Sequence, residues 1–79
     1  MGKKFSLDRD SKAPIHQQLY RLIKECIDDG TFKEREAIPS EKDMQELFDV
    51  SRITVRRAIS DLEHDGHLRK IRGKGTFVE

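Results

Sequence analysis

Apolar residues recur along this 79-residue chain in two rhythms, and the change from one to the other falls near Gly66. From Ile15 the apolar positions are Leu19, Leu22, Ile23, Cys26 and Ile27, at steps of three and four, which predicts one amphipathic helix. Proline is favoured at the first helical position, so Pro14 is expected to open it and Gly30, after Asp28-Asp29, to close it. Residues 31–37 form a polar connector. Ala37-Ile38 is expected to add a short strand before Pro39, which has no N–H for a ladder and belongs at a sheet edge.

A second helix starts at Ser40, an N-cap serine with Glu41 in the first turn and Asp43 at the capping-box position. Met44, Leu47 and Phe48 supply its apolar face. Asp49-Val50 breaks the pattern. Ser51 then caps a third helix in which Val55, Ala58, Ile59 and Leu62 make one buried stripe, ended by Asp65-Gly66. Beyond it the β-favouring apolar positions are Leu68, Ile71, Phe77 and Val78, split by Arg72-Gly73-Lys74-Gly75, so the tail reads as a hairpin with a flexible basic tip. The expected class is α+β: a three-helix bundle over residues 14–79 with a C-terminal two-stranded hairpin. Residues 1–13 are expected to be an extended or disordered arm with Phe5 and Leu7 as apolar anchors.

Composition narrows the function. A chain this short buries one small core, and with 34% hydrophobic residues and no Trp it has no material for an enclosed catalytic chamber. The net charge of +1 hides an asymmetry, with 9 basic against 11 acidic residues up to Val50 and 7 against 4 from Ser51 onward. All seven of those later cations lie in two acid-free windows: Arg52, Arg56 and Arg57 in one, Arg69, Lys70, Arg72 and Lys74 in the other. Cys26 is the single cysteine, so there is no disulfide framework, and its apolar neighbours imply a buried thiol in a reducing, cytoplasmic setting. No apolar run reaches the roughly 20 residues that cross a bilayer.

Two short capped helices joined by a tight break, the second carrying arginines away from its apolar stripe, meet the physical specification of a helix-turn-helix. At 100° per residue from Val55, the side chains of Ile53, Arg56, Arg57 and Ser60 fall between about 100° and 200°, on one face that fits a major groove. Ser51, Arg52 and Thr54 occupy the first turn, where free N–H groups, the helix dipole and hydroxyl donors favour a phosphate. Arg52 and Arg56 are the candidates for bidentate reading of guanine. The alternative for both is an ion pair with an acid such as Glu63 or Asp49.

Three motifs in order, Ile38-Pro39-Ser40-Glu41, then Val50-Ser51-Arg52-Ile53-Thr54-Val55-Arg56-Arg57-Ala58 with Gly66, then Gly73-Lys74-Gly75-Thr76-Phe77-Val78, resemble the N-terminal domain of the GntR family. The likeness runs from about Ile15 to Val78 and is nearest to the HutC-type subfamily. It implies a winged helix-turn-helix whose arginines at positions 52 and 56 contact operator DNA, with Ser40 and Lys42 at the start of the second helix beside them. Family members commonly carry Arg at position 42. Lys cannot make the bidentate fork, so backbone contact is expected there. The wing residues Arg72, Gly73, Lys74 and Gly75 are expected to approach the minor groove.

The resemblance further implies a ligand-responsive regulator, most often a repressor, that binds a palindromic operator as a homodimer. Dimerisation and a small-molecule effector belong to a C-terminal domain absent from this chain, and the head alone is expected to be monomeric. Other chemistry has little support. His64 and His67 straddle a glycine stop without a third metal ligand, His16 has no nucleophile or paired carboxylate at a telling spacing, and no cofactor is expected. Phe48 and Phe77 are expected in the core. The rival readings are a winged helix used as a protein-interaction module and the head of an aminotransferase-fused enzyme, whose pyridoxal-binding lysine lies outside so short a head.

Overall fold

The structure is a computed structural model that describes residues 7–79, so Phe5 of the expected arm lies outside the described residues. Its elements run α1 (Ile15–Asp28), α2 (Glu41–Phe48), α3 (Arg52–His64), β1 (Leu68–Ile71) and β2 (Gly75–Val78). The sheet is antiparallel, with Leu68 opposite Val78 and Ile71 opposite Gly75.

Each helix starts and stops for a local reason. Pro14 is the N-cap of α1 rather than its first helical residue, with φ −57° and an extended ψ of 146°. It still contributes what proline offers a helix start, a preset φ and no orphan N–H. The Ser40 hydroxyl accepts from the Asp43 amide at 3.1 Å and the Ser51 hydroxyl from the Thr54 amide at 3.2 Å, so both expected caps form. Between α2 and α3, Asp49 takes the left-handed conformation (φ 55°, ψ 55°), which Asp tolerates better than most side chains, and that residue turns the chain.

The apolar stripes converge on one core. Leu19 and Ile23 of α1, Met44 and Phe48 of α2, and Val55, Ala58 and Leu62 of α3 are closed over by Ile38, Leu68 and Val78. Cys26 is buried as expected. Phe77 is only half-buried, because it faces outward from β2 while its neighbour Val78 faces in. Helix α3 is the hub, packed against α1, α2 and β1.

Two further expectations need correction. The strand at Ala37-Ile38 shrinks to one antiparallel bridge between Ala37 and Phe77, although its ladder is longer than that: Arg35 N–H donates to the Val78 carbonyl, Val78 N–H to Glu36, and Ile38 N–H to Thr76. Residues 7–13 are not an extended arm. They form a turn clipped to α1 by the Gln18 side chain, which accepts from the Asp8 amide at 2.8 Å and donates to the carbonyls of Asp8 and Ala13. Leu7 packs against the core. A charge-mixed segment stays ordered here because one amide side chain satisfies three of its backbone groups.

Candidate nucleic-acid interface

Burying Val55, Ala58, Ile59 and Leu62 forces the opposite side of α3 outward, and Arg52, Ile53, Arg56, Arg57 and Ser60 are all exposed there. Ile53 is 80% exposed, an unusual place for a β-branched apolar side chain. Thr54 is half-buried, and its hydroxyl lies 2.9 Å from that of Ser51. One of the two hydroxyls donates to the other, which leaves a single O–H of the pair free for an outside acceptor.

The arginines are held by an acid that the sequence did not single out. Arg52 Nε donates to Glu41 Oε1 at 3.1 Å, and Arg56 Nε stands 3.4 Å from Glu41 Oε2. Neither expected alternative partner, Glu63 or Asp49, is involved. Each guanidinium uses its Nε, so the paired terminal N–H groups remain available for a bidentate contact. Glu41 is the first residue of α2, where the helix dipole favours a carboxylate. Arg57 has a looser partner in Asp61, one helical turn on, at 3.9 Å.

The hairpin tip is a β-turn closed by Lys74 N–H donating to the Ile71 carbonyl at 2.9 Å. Gly73 has φ +79° at the third turn position, the sign a type II turn demands, and Gly75 has φ +120°. Nothing else lies within 4 Å of where a Cβ would stand at either glycine, so backbone conformation and not crowding selects glycine. Gly75 belongs to β2 rather than to the tip. Among the described residues, Arg72, Lys70 and Lys74 make no ion pair.

Helix and wing border one open groove of about 560 Å³, lined among others by Ser40, Glu41, Arg56, Ser60, Lys70 and Lys74. Lys70 was missed as a site residue. Its signal was present, since two-residue alternation from buried Leu68 puts Lys70 on the face toward α3 and Arg69 on the other. Of the expected site residues, Ser40, Arg56, Lys74 and Gly75 meet in this groove; Ser51, Arg52, Ile53, Thr54 and Arg57 lie along the rest of α3, Lys42 is exposed on α2, and Arg72 and Gly73 stand at the wing tip.

The α2–α3 turn is braced from outside the motif. Arg9, in the clipped N-terminal segment, hydrogen-bonds the Asp49 carbonyl through its guanidinium and stands 3.8 Å from the Asp49 carboxylate. At the far end of α3 the Tyr20 hydroxyl donates to the Asp65 carboxylate, and the Tyr20 ring meets His67 edge-on at 6.4 Å. No group of metal-ligating side chains occurs among the described residues, and none of their helices is long and apolar enough to cross a membrane.

Residues 15–78 match the family described as bacterial regulatory proteins, gntR family. The HTH-type transcriptional repressor NagR of Bacillus subtilis is 37% identical over 73 residues, covering 92% of this chain and 30% of that protein. The histidine utilization repressor of Klebsiella aerogenes, in line with the HutC-type likeness, is 36% identical over 70 residues, covering 89% and 29%. The chain thus spans about three tenths of the length of these curated relatives. Among solved structures, AraR(DBD) in complex with operator ORX1 superposes with a TM-score of 0.85 at 33% identity, covering 94% of both chains. YtrA from Sulfolobus acidocaldarius, a GntR-family transcription factor, gives 0.86 at 26% identity, covering 98% of this chain and 81% of that one.

Proposed function

The chain belongs to the gntR family of bacterial regulatory proteins, and from that premise we propose that it is the sequence-specific DNA-binding head of a ligand-responsive transcription repressor. The observation that carries this reading is the single outward face of α3, where Arg52, Ile53, Arg56 and Arg57 stand exposed beside a wing whose Arg72 and Lys74 are unpaired among the described residues. Helix α3 enters the major groove of an operator. Arg52 and Arg56 read guanine edges, Ile53 meets a thymine methyl, and Arg57 takes a backbone phosphate.

The remaining contacts position the domain. The free hydroxyl proton of the Ser51–Thr54 pair, the Ser40 hydroxyl and the Lys42 ammonium bind phosphates around the two helix starts. The wing brings Arg72, Gly73, Lys74 and Gly75 to the minor groove, where the absent Cβ atoms let backbone approach closely. Residues 14–79 form this head. In the intact cytoplasmic regulator a C-terminal domain binds the small-molecule effector and pairs two heads on a palindromic operator, so that the second half-site is bound intramolecularly. Support for that arrangement is the length of the repressors to which the chain is similar. Catalysis has no part in the function.

The test is selection by the 79-residue chain from a pool of randomised duplexes, followed by titration of the winner against random duplex at several salt concentrations. The expected result is one enriched half-site, bound tighter than random duplex by a factor on the order of 10², with log K falling linearly against log salt. A pool that returns unenriched overturns the proposal.

A further inference from the structure

Two acids, Glu41 and Glu63, line the groove between α3 and the wing, and of these it is Glu41 that pairs with arginines of the proposed reading face. Its two oxygens are divided between two arginines from another helix, Oε1 to Arg52 Nε at 3.1 Å and Oε2 to Arg56 Nε at 3.4 Å. Its side chain is 35% exposed against 65% and 61% for the arginines, so the carboxylate is more shielded from solvent than either guanidinium it pairs with. Lys70 and Lys74 line the same groove.

Resting on the DNA-binding reading above, we infer that Glu41 is the positioning residue that sets discrimination between operator and random DNA. Two effects of opposite sign combine. Pairing through Nε restrains both guanidinium groups and leaves their terminal N–H groups unengaged by Glu41, so part of the ordering of two long side chains precedes DNA and strengthens the base contacts they make. The same negative charge, placed among cations where phosphates run, weakens attraction to any duplex regardless of sequence. A duplex that offers guanines to both forks gains from the first effect; a random duplex meets only the second. The residue therefore widens the gap between specific and non-specific binding from both sides.

Two substitutions separate aim from charge. Glu41→Gln keeps one acceptor oxygen and loses the charge. Glu41→Asp keeps the charge and loses the reach to both arginines. Each variant is titrated against the duplex selected by the wild-type chain and against random duplex, across a salt series. For Glu41→Gln the expected result is about tenfold weaker binding to the selected duplex, unchanged or tighter binding to random duplex, and a random-duplex salt slope steeper by about one. For Glu41→Asp the selected duplex is again lost while random binding and its slope stay at the wild-type values.

Equal losses on both duplexes mean a damaged fold and overturn the inference, as does a wild-type ratio in both variants. A loss confined to one C·G pair, with both arginine-read positions kept, overturns it in favour of direct contact between Glu41 and cytosine. If the wild-type chain itself selects no sequence, it is the DNA-binding reading that fails, and the two failures are distinguished before any variant is made.

Discussion

Ile53 gives the sharpest test of the α3 face, because its exposure separates folding from binding. With the residue 80% exposed, Ile53→Ser removes almost nothing from the core, and its effect on stability should stay within about 0.5 kcal/mol. Against DNA the same side chain is proposed to cover a thymine C5-methyl. Burying one methyl group is worth about 0.8 kcal/mol, so replacing that thymine by uracil should weaken each half-site about fourfold. Ile53→Ser should cost about 1 kcal/mol on the thymine duplex for the same reason. On the uracil duplex it should cost almost nothing more, since the methyl it covered is already gone. The assay is a double-mutant cycle: fluorescence anisotropy of both proteins on both duplexes, with urea unfolding as the control, and an expected coupling of about 0.8 kcal/mol. Strict additivity at every A·T pair of the site refutes the reasoning, because two groups that do not touch lose their contributions independently.

Three other expectations follow from the same geometry. Arg52→Ala should cost about 1–3 kcal/mol on the selected duplex and flatten preference at one position per half-site; a repeat selection that returns uniform weakening instead marks Arg52 as a phosphate clamp. Ser51→Ala removes the acceptor for the Thr54 amide and should lower stability by about 1 kcal/mol, a drop of about 4–8 °C in Tm for a domain of this size, read by circular dichroism. The hydrogen bond to Asp65, with burial and the charges of Asp65 and Asp61, pushes the Tyr20 phenol up from 10.0 to about 12. The neutral phenol is the form the fold favours, so its contribution is intact below about pH 10 and lost as pH rises from 10 through 12; urea midpoints of Tyr20→Phe should lack that alkaline loss.

What the sequence made readable was local. Helix spans, the serine caps at 40 and 51, the stop at Gly66 and the hairpin all rest on signals within one turn or one ladder, and these the structure reproduces. What escaped reading depends on how elements meet. Glu41 looked like a residue placed for the helix dipole, and only the packing of α2 on α3 brings it against arginines 11 and 15 positions away. The bond from Arg9 to Asp49 spans 40 positions, and no periodicity within the arm announces it. Gln18 shows the same limit, since a polar residue on a helix gives no hint that its amide will order a separate segment. Lys70 is the exception: it was missed although its signal, the strand alternation from buried Leu68, was local.

The ladder that joins the connector to β2 has a consequence for the order in which this domain is made. Arg35 and Ile38 find their carbonyl partners on Val78 and Thr76, about half the chain away, and Ile38 and Val78 are both core residues. Closing so wide a loop carries an entropic cost that local helix formation does not meet, so these pairings lie late on the folding path. On the ribosome the helices can form as they emerge, yet the core keeps an open side until Val78 has left the exit tunnel. The DNA-binding unit is therefore sealed as one of the last events of its own synthesis, with Val78 as the closing residue.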